Sequence, residues 1–299
     1  MRTLPLLLLL ALMTGCSEYD PAAHEAEVLE WREARLAELT AEDSWLTLVN
    51  YQVLWNNPMT MGSRQGMNIA VPRGPEMLGM FVNDGLTDST AAEEAWWFYG
   101  SAPTTADGVE MTEPVPAISD SGAVRFRQDG LTWFVRRFQD QYAVRVIDNR
   151  ASLRTDFPGL EYYPVNPEWR LYARYEPYDP PKRFPVAIYT GGDVLEESPG
   201  RVTFSVAGEE YALDVTDTSE TGYFVIFSDE TNNESTYPAG RYVWFDKPLG
   251  SAGPVILDFN KSYNPPCAFT EFATCPLPPR SHHIDARIEA GELRFRKPV

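Results

Sequence analysis

Positive charge is scarce in this chain, where 25 lysines and arginines face 43 aspartates and glutamates and the formal net charge is -18. A chain this acidic repels phosphate backbones, which excludes nucleic acid as a partner. The sequence also lacks a glycine-rich phosphate loop, a Gly-x-Ser-x-Gly elbow and a His-Glu-x-x-His pair. It has no repeat with a period of about 20–50 residues, which excludes a solenoid, and nothing in it predicts a cofactor.

No apolar run reaches the roughly 20 residues that a membrane-spanning helix needs. The apolar run of residues 6–12 follows Arg2 and precedes Thr14, Gly15 and Cys16. The string "LLALMTGCS" resembles a bacterial lipoprotein signal that is cut before Cys16, where an acyl chain such as palmitate is then attached. We therefore predict a signal peptide over residues 1–15 and a lipid tether over 16–24. The protein is expected in the cell envelope, at the outer membrane if the cell has two membranes.

Short apolar runs separated by turn residues dominate the rest of the chain, which has 25 prolines and 20 glycines. Runs such as "LTWFVRRF" and "YAVRVIDN" alternate apolar and polar positions, a pattern typical of strands. Strong helix formers are concentrated near the N-terminus and predict a helix over about 22–40. Its apolar stripe is expected to contain Val28, Leu29, Trp31, Leu36 and Leu39.

The fold class that follows is mainly β. We predict the N-terminal helix and an antiparallel β-sandwich over residues 25–150, and a second antiparallel β domain over 165–299. The boundary falls in a connector rich in proline and tyrosine, with one short strand, "WRLYARY". His24 is expected to be an exposed residue on the first turn of the helix.

A candidate polar pocket lies in the second domain. If "PVILDFN" is a strand, Asp258 and Asn260 share one face, about 7 Å apart. Asp229 ends another predicted strand, and a buried carboxylate there needs a cation, for which Arg241 and then Arg170 are the candidates. The predicted ligand-binding set is Arg170, Asp229, Arg241, Asp258, Asn260, Tyr263 and Asn264. The same side chains equally fit a satisfied polar network that fixes strand ends.

Cys267 and Cys275 lie in a proline-rich segment, and export favours a disulfide between them. Buried free thiols are the alternative. A zinc site with His282 and His283 is disfavoured because the spacing matches no standard arrangement. A cysteine nucleophile would need His283 as its base. The acidic stretch "SDETNNESTY" lacks the order of a calcium loop, so no metal site is predicted.

Several strings together resemble one family. "WREARLAELTAEDSWLTLVNYQVLW", "GLEYYPVNPEWRLYARY" and "LDFNKSYNPPCAFTEFATCPLPP" are similar to the bacterial and fungal proteins grouped as domain of unknown function 1684 (DUF1684). The resemblance implies a shared architecture and site, not an activity. Ser44 and His282 depart from it, standing where glycine and asparagine are usual.

A second, shorter resemblance concerns "MGSRQGMNIAVP", which is similar to the start of a forkhead-associated (FHA-like) β-sandwich. The arginine that reads phosphothreonine in those modules is replaced by Ser63, so phosphopeptide binding is not expected.

Three functions remain open at this point. The first is an envelope lipoprotein that binds an unknown small molecule in the second domain and contacts the membrane only through its lipid. The second is a hydrolase using the same pocket, with Asp258 as the candidate catalytic base and Arg241 as an anion clamp. The third is a protein-interaction module using the sandwich.

Overall fold

The structure is a computed structural model that describes residues 19–83, 96–101, 103–138 and 141–297. The predicted signal peptide and Cys16 lie outside these residues. Helix α1 spans Pro21–Leu39 and confirms the predicted N-terminal helix. Asp20 caps it by accepting hydrogen bonds from the backbone N–H groups of Ala22 and Ala23. Pro21 takes the first helical position, so the helix begins one residue before the predicted start at about 22.

The face of α1 that packs against the protein differs from the predicted stripe. Its buried residues are His24, Val28, Arg35 and Leu39. Leu29 and Leu36 are exposed instead. The helix lies against polar strand ends as well as apolar side chains, so its buried stripe contains a histidine and an arginine that hydrophobicity alone does not reveal.

A β-sandwich follows the helix and a short 3₁₀ turn, Trp45–Thr47. Its strands are β1 (Leu48–Val53), β2 (Met59–Gly62), β3 (Ile69–Ala70), β4 (Gly79–Asn83), β5 (Trp96–Gly100), β6 (Thr105–Ala106), β7 (Val109–Glu110), β8 (Val115–Pro116), β9 (Ile118–Ser119), β10 (Gly122–Ala123), β11 (Phe126–Gln128), β12 (Leu131–Phe138) and β13 (Gln141–Asp148). One sheet has the order β1-β13-β12-β11-β6-β7 and the other β3-β2-β4-β5-β8, with β9 and β10 paired separately.

Side chains from both sheets meet in one core, where Phe81 and Phe98 of one sheet contact Phe126 and Trp133 of the other. The predicted sandwich is therefore present, and the narrower FHA-like resemblance stays a prediction. Strand alternation sends the neighbours of the core residues outward. Phe134 on β12 is paired with Arg145 on β13, and both lie on the outer face of the first sheet.

The second unit follows helix α2 (Ser152–Thr155) and a 3₁₀ turn, Pro167–Trp169. Its strands are β14 (Arg170–Ala187), β15 (Asp193–Val206), β16 (Glu209–Asp214), β17 (Asp217–Thr218), β18 (Gly222–Asp229), β19 (Arg241–Asp246), β20 (Gly253–Asp258) and β21 (His283–Ile284). One sheet has the order β16-β15-β14-β20; the other has β17-β18-β19, with β21 parallel to β18. The main core of this unit lies between these strands.

Strand β14 is much longer than the short strand predicted in the connector. The pairing of β14 with β15 shifts register between Pro177 and Lys182. The intervening prolines fall in this irregularity, where a missing backbone N–H removes no ladder hydrogen bond. Strand pairing therefore continues through a segment whose proline content indicated irregular structure.

A proline-rich loop, residues 259–282, follows β20 in the second unit and packs against the first unit. Its 3₁₀ turns are Phe259–Lys261, Pro266–Ala268 and Arg280–His282. Phe269 packs with Leu39 and Leu46, and the Thr270 hydroxyl donates to the Leu48 carbonyl at 3.0 Å. The loop thus holds the end of α1 and the first strand of the sandwich against the second unit.

Candidate functional site

The centre of the predicted pocket is an ion pair sealed from solvent. Arg241 Nη2 lies 2.5 Å from Asp229 Oδ2, and both side chains have no exposed surface. Asp229 also accepts a hydrogen bond from the Thr231 backbone at 2.7 Å. Arg241 donates in addition to the carbonyls of Ile288, at 2.9 Å, and Ala290, at 2.5 Å. The prediction that Arg241 is the partner of Asp229 is confirmed, and the guanidinium is engaged with protein groups.

Arg170 does not reach Asp229. It lies opposite Asp258 in the β14–β20 ladder, with its guanidinium 5.5 Å from the centre of the Tyr19 ring. Asp258 instead pairs with His24, whose Nε2 is 2.7 Å from Asp258 Oδ2. The Tyr19 hydroxyl lies 2.9 Å from His24 Nδ1. The expectation of an exposed His24 was wrong, because the first turn of α1 packs on the end of β20 and leaves this ring 4% exposed.

Asp258 and Asn260 are neighbours, but not because they alternate along one strand. Strand β20 ends at Asp258, and Asn260 lies in the following 3₁₀ turn. The Asp258 carboxylate caps this turn, accepting from the backbone N–H of Asn260 at 3.0 Å and from its Nδ2 at 2.9 Å. Asn260 then exchanges two hydrogen bonds with the backbone of Asn166, each 2.9 Å.

Tyr263 and Asn264 form the other end of the network. The Arg35 guanidinium lies 4.6 Å from the centre of the Tyr263 ring, and its Nε is 3.2 Å from Glu292 Oε1. The Asn264 backbone N–H donates to Glu292 at 2.8 Å, and its side-chain amide donates to the Leu293 carbonyl at 2.8 Å. Burial raises the pKa of Glu292, and the Arg35 charge opposes that rise.

These contacts describe a closed polar network rather than an open pocket. Asp229, Arg241, Asn260 and Asn264 are 0–2% exposed, and Asp258 is 7% exposed. Apart from Arg170, each of these side chains contacts a polar group from another segment of the chain, although Arg241 Nε and Asn264 Oδ1 are buried without a hydrogen-bond partner among the described residues. The packing therefore favours the structural alternative, and a binding or catalytic role for these side chains stays a prediction.

Cys267 and Cys275 are buried free cysteines in this structure, and the Cys267 backbone N–H donates to Cys275 Sγ at 3.0 Å. The hydrogen bond between the two side chains lowers the pKa of Cys267 and raises that of Cys275. Trp45 and Tyr237 pack against the pair. The two thiols are brought together as expected, while the disulfide itself stays a prediction.

His282 is committed elsewhere, which removes it from the zinc alternative. Its Nε2 accepts from the Asp214 backbone N–H at 3.0 Å, and its Nδ1 lies 2.9 Å from the Ile226 carbonyl. Burial disfavours the Asp214 carboxylate. Hydrogen bonds from Lys182 and Tyr178, each 2.6 Å, outweigh burial and hold the pKa of Asp214 well below its usual value.

An open cavity of about 390 Å³ lies between the end of α1 and the outer face of the first sheet. We call it the arginine cleft. Its lining residues are Arg35, Glu38, Leu39, Ala41, Asp43, Ser44, Trp45, Leu48, Arg125, Phe134, Arg136, Arg145 and Ile147. Leu48, Phe134 and Ile147 form its apolar floor, against which Trp45 packs.

Arg125, Arg136 and Arg145 surround this apolar floor, whereas the fourth lining arginine, Arg35, pairs with Glu292. The guanidinium of Arg125 lies 5.0 Å from the Phe134 ring centre, and that of Arg145 lies 5.6 Å from the Trp45 ring centre. Arg136 lies 5.9 Å from the same Phe134 ring. Within the described part of the chain, none of the three forms an ion pair. In the sequence, these arginines occupy polar, outward-facing positions of predicted alternating strands, which was the signal for this site. The Trp45 wall comes from a distant segment, so that pattern alone does not reveal it.

Arg145 is the most perturbed of the three. Burial lowers its pKa, and the neighbouring charge of Arg136 lowers it further. Its Nη2 donates to Thr274 Oγ1 at 3.1 Å. Its Nε is buried and has no hydrogen-bond partner among the described residues. The cleft is therefore lined by a partly desolvated cation.

Comparison with known proteins matches residues 155–293 to the family described as "Protein of unknown function (DUF1684)". This confirms the resemblance over that range, which covers the second unit and the proline-rich loop but not the arginine cleft. No curated protein matches the chain. One matching solved structure is the solution NMR structure of an uncharacterized protein of Haloarcula marismortui, 29% identical, which covers 47% of this chain and 78% of that chain with a TM-score of 0.40.

Proposed function

On the premise that residues 155–293 belong to the DUF1684 family, whose activity is unknown, we propose that this protein binds a small molecule in the arginine cleft. The observation that carries the proposal is the cleft itself, an open cavity of about 390 Å³ with an apolar floor and convergent polar side chains. Small-molecule sites have this size and this combination of surfaces. Most side chains of the site predicted in the second domain are buried instead.

The closed network supports the cleft indirectly. Through Arg35 it connects α1 to Glu292 and Tyr263, and through the proline-rich loop it brings Thr274 to Arg145. The walls of the cleft belong to elements that this network holds in place. A rigid scaffold that positions a site on its surface lowers the entropy cost of binding.

We further propose that Cys16 anchors the protein to the bacterial envelope. The string before Cys16 supports this. Within the described ranges, no helix is long and apolar enough to cross a membrane. Labelled palmitate supplied to cells is expected to be incorporated into the wild type and not into Cys16→Ser. Equal labelling of the two proteins would contradict the anchor.

Binding is tested with naphthalene carrying a carboxylate, a hydroxymethyl or an aminomethyl group. We expect at least one of the three to bind the wild type with one-to-one stoichiometry in calorimetry. Trp45→Leu removes the aromatic wall and is expected to weaken that binding at least tenfold. Trp55→Leu is the matched control, because Trp55 is 68% exposed and does not line the cleft. The same affinity in Trp45→Leu and the wild type would place binding elsewhere and contradict the proposal.

A further inference from the structure

The charge balance inside the arginine cleft is opposite to that of the protein. The chain carries a net charge of -18, yet Arg125, Arg136 and Arg145 converge on one apolar floor. Each of the three guanidinium groups lies beside an aromatic ring, and none has a carboxylate partner within the described residues. Like charges that lie close together repel one another, so the cleft is a place where an anion would be stabilised.

Arg145 indicates where an anion would relieve this energy most. Burial and the Arg136 charge both disfavour its cationic form. Its buried Nε has no acceptor within the part of the chain that the structure describes, while Nη2 is held by Thr274. This Nε atom is sealed from solvent, so an anion in the cleft would contact the part of the guanidinium that lines the cavity, and a carboxylate is the group that a guanidinium binds best.

The rest of the cleft limits the shape and charge of the ligand. Phe134, Ile147 and Leu48 offer an apolar floor, and Trp45 provides a flat wall, which suit a ring or a short hydrocarbon body. Glu38 and Asp43 also line the cleft and repel a strongly charged polyanion. The cavity volume of about 390 Å³ is at the small end for a ligand site, which fits a compact molecule.

From these observations we propose that the ligand of the arginine cleft is a compact, mainly apolar monoanion, such as an aromatic carboxylate, whose charged end binds Arg145. Arg136 and Arg125 contribute charge at longer range, and the apolar body lies against Phe134 and Trp45. This proposal rests on the proposed function, because it assigns a ligand class to the same cleft.

Calorimetry with the three naphthalene probes tests the ligand class separately from binding itself. We expect 2-naphthoate to bind the wild type at least tenfold more tightly than 2-naphthalenemethanol, and 2-naphthylmethylamine to bind weakest. The preference for naphthoate is expected to shrink as potassium chloride is raised, because salt screens the arginine charges.

Arg145→Gln is the variant that isolates the charge. It is expected to reduce the preference for naphthoate over the alcohol to less than threefold while leaving the affinity for the alcohol nearly unchanged. Arg64→Gln is the control for the same change in net charge, because Arg64 is exposed and does not line the cleft. Exposed Arg136→Gln gives a smaller loss of preference and replaces Arg145→Gln if that variant unfolds.

The outcomes separate the two proposals. If the alcohol binds as tightly as naphthoate and still requires Trp45, the cleft is a binding site but its ligand is not an anion, and this inference is overturned. If naphthoate binds equally well to the wild type and to the Arg145→Gln and Arg136→Gln variants, the anion does not bind at these arginines, and the inference is also overturned. If Trp45→Leu weakens the binding of none of the three probes, both this inference and the proposed function are wrong.

Discussion

Replacing Arg241 with methionine is expected to be one of the most damaging single substitutions in the second unit. The change keeps a long unbranched side chain but removes the charge. It leaves Asp229 with no cation, at a position where that carboxylate has no exposed surface. It also removes the donors to the carbonyls of Ile288 and Ala290.

The magnitude follows from these losses. Removing one partner of a buried ion pair costs about 3–5 kcal/mol, because the other charge stays buried and uncompensated. This is a large part of the roughly 5–15 kcal/mol by which a folded domain is stable. Asp229→Asn removes the other charge of the pair, and the double variant, Asp229→Asn with Arg241→Met, removes both charges. We expect the two substitutions together to cost at least about 1 kcal/mol less than the sum of the single costs.

The assay is guanidinium chloride unfolding of the wild type, both single variants and the double variant. Arg174→Met is the matched control, since Arg174 is an exposed arginine on β14 with no ion pair in the described chain, and its change is expected to stay within about 0.5 kcal/mol. A cost below about 1 kcal/mol for Arg241→Met would show that this network does not hold the unit together. Strictly additive costs would show that Asp229 and Arg241 are not coupled.

Three further predictions concern the rest of the scaffold. Folding lowers the pKa of Asp214, so its contribution to stability is complete above about pH 4, the usual range of a free aspartate, and is lost as the pH falls through the lower folded value. In thermal unfolding, Asp214→Asn should flatten this acid dependence, and Lys182→Met should flatten it in part. An unchanged pH profile of Tm in Asp214→Asn would contradict the assignment. Gly291→Ala should lower Tm strongly, because Gly291 has φ +78° and an added Cβ would lie 2.2 Å from the Ser262 hydroxyl. Gly108→Ala is the control: Gly108 has φ +86° but open space around it, so the change should cost only the backbone strain. Equal Tm values for the two variants would refute the packing argument. His24→Ala should increase amide hydrogen exchange in α1 and leave the sandwich core protected, and unchanged exchange would show that the contact with β20 does not hold the helix.

Local patterns predicted much of the architecture. Strong helix-forming residues and Pro21 predicted α1. The alternation of apolar and polar residues predicted the strands on which Arg136 and Arg145 face outward. Strand ends also predicted the pairing of Asp229 with Arg241. Each of these features depends on neighbours in sequence or on adjacent strands, which is why composition and periodicity were enough.

Long-range packing accounts for what was missed. His24 becomes buried only because α1 packs on the end of β20, far along the chain. Asn260 points toward Asp258 through a 3₁₀ turn that the alternation rule does not anticipate. The arginine cleft has one wall at Trp45 and another formed by side chains between Phe134 and Ile147, so neither segment reveals it alone. Its signal in the sequence was present only as arginines at the outward positions of predicted strands.

The central claim is that an anion binds to Arg145. The most direct measurement is the NMR signal of the Arg145 Nε–Hε group in isotope-labelled protein, assigned by its disappearance in Arg145→Gln. This group belongs to the guanidinium that lines the cleft and senses a charge placed beside it, so its proton is predicted to shift when 2-naphthoate is added and to stay in place with the alcohol. An unchanged Arg145 signal under saturating naphthoate, with the shifts falling on other arginines, would contradict the claim.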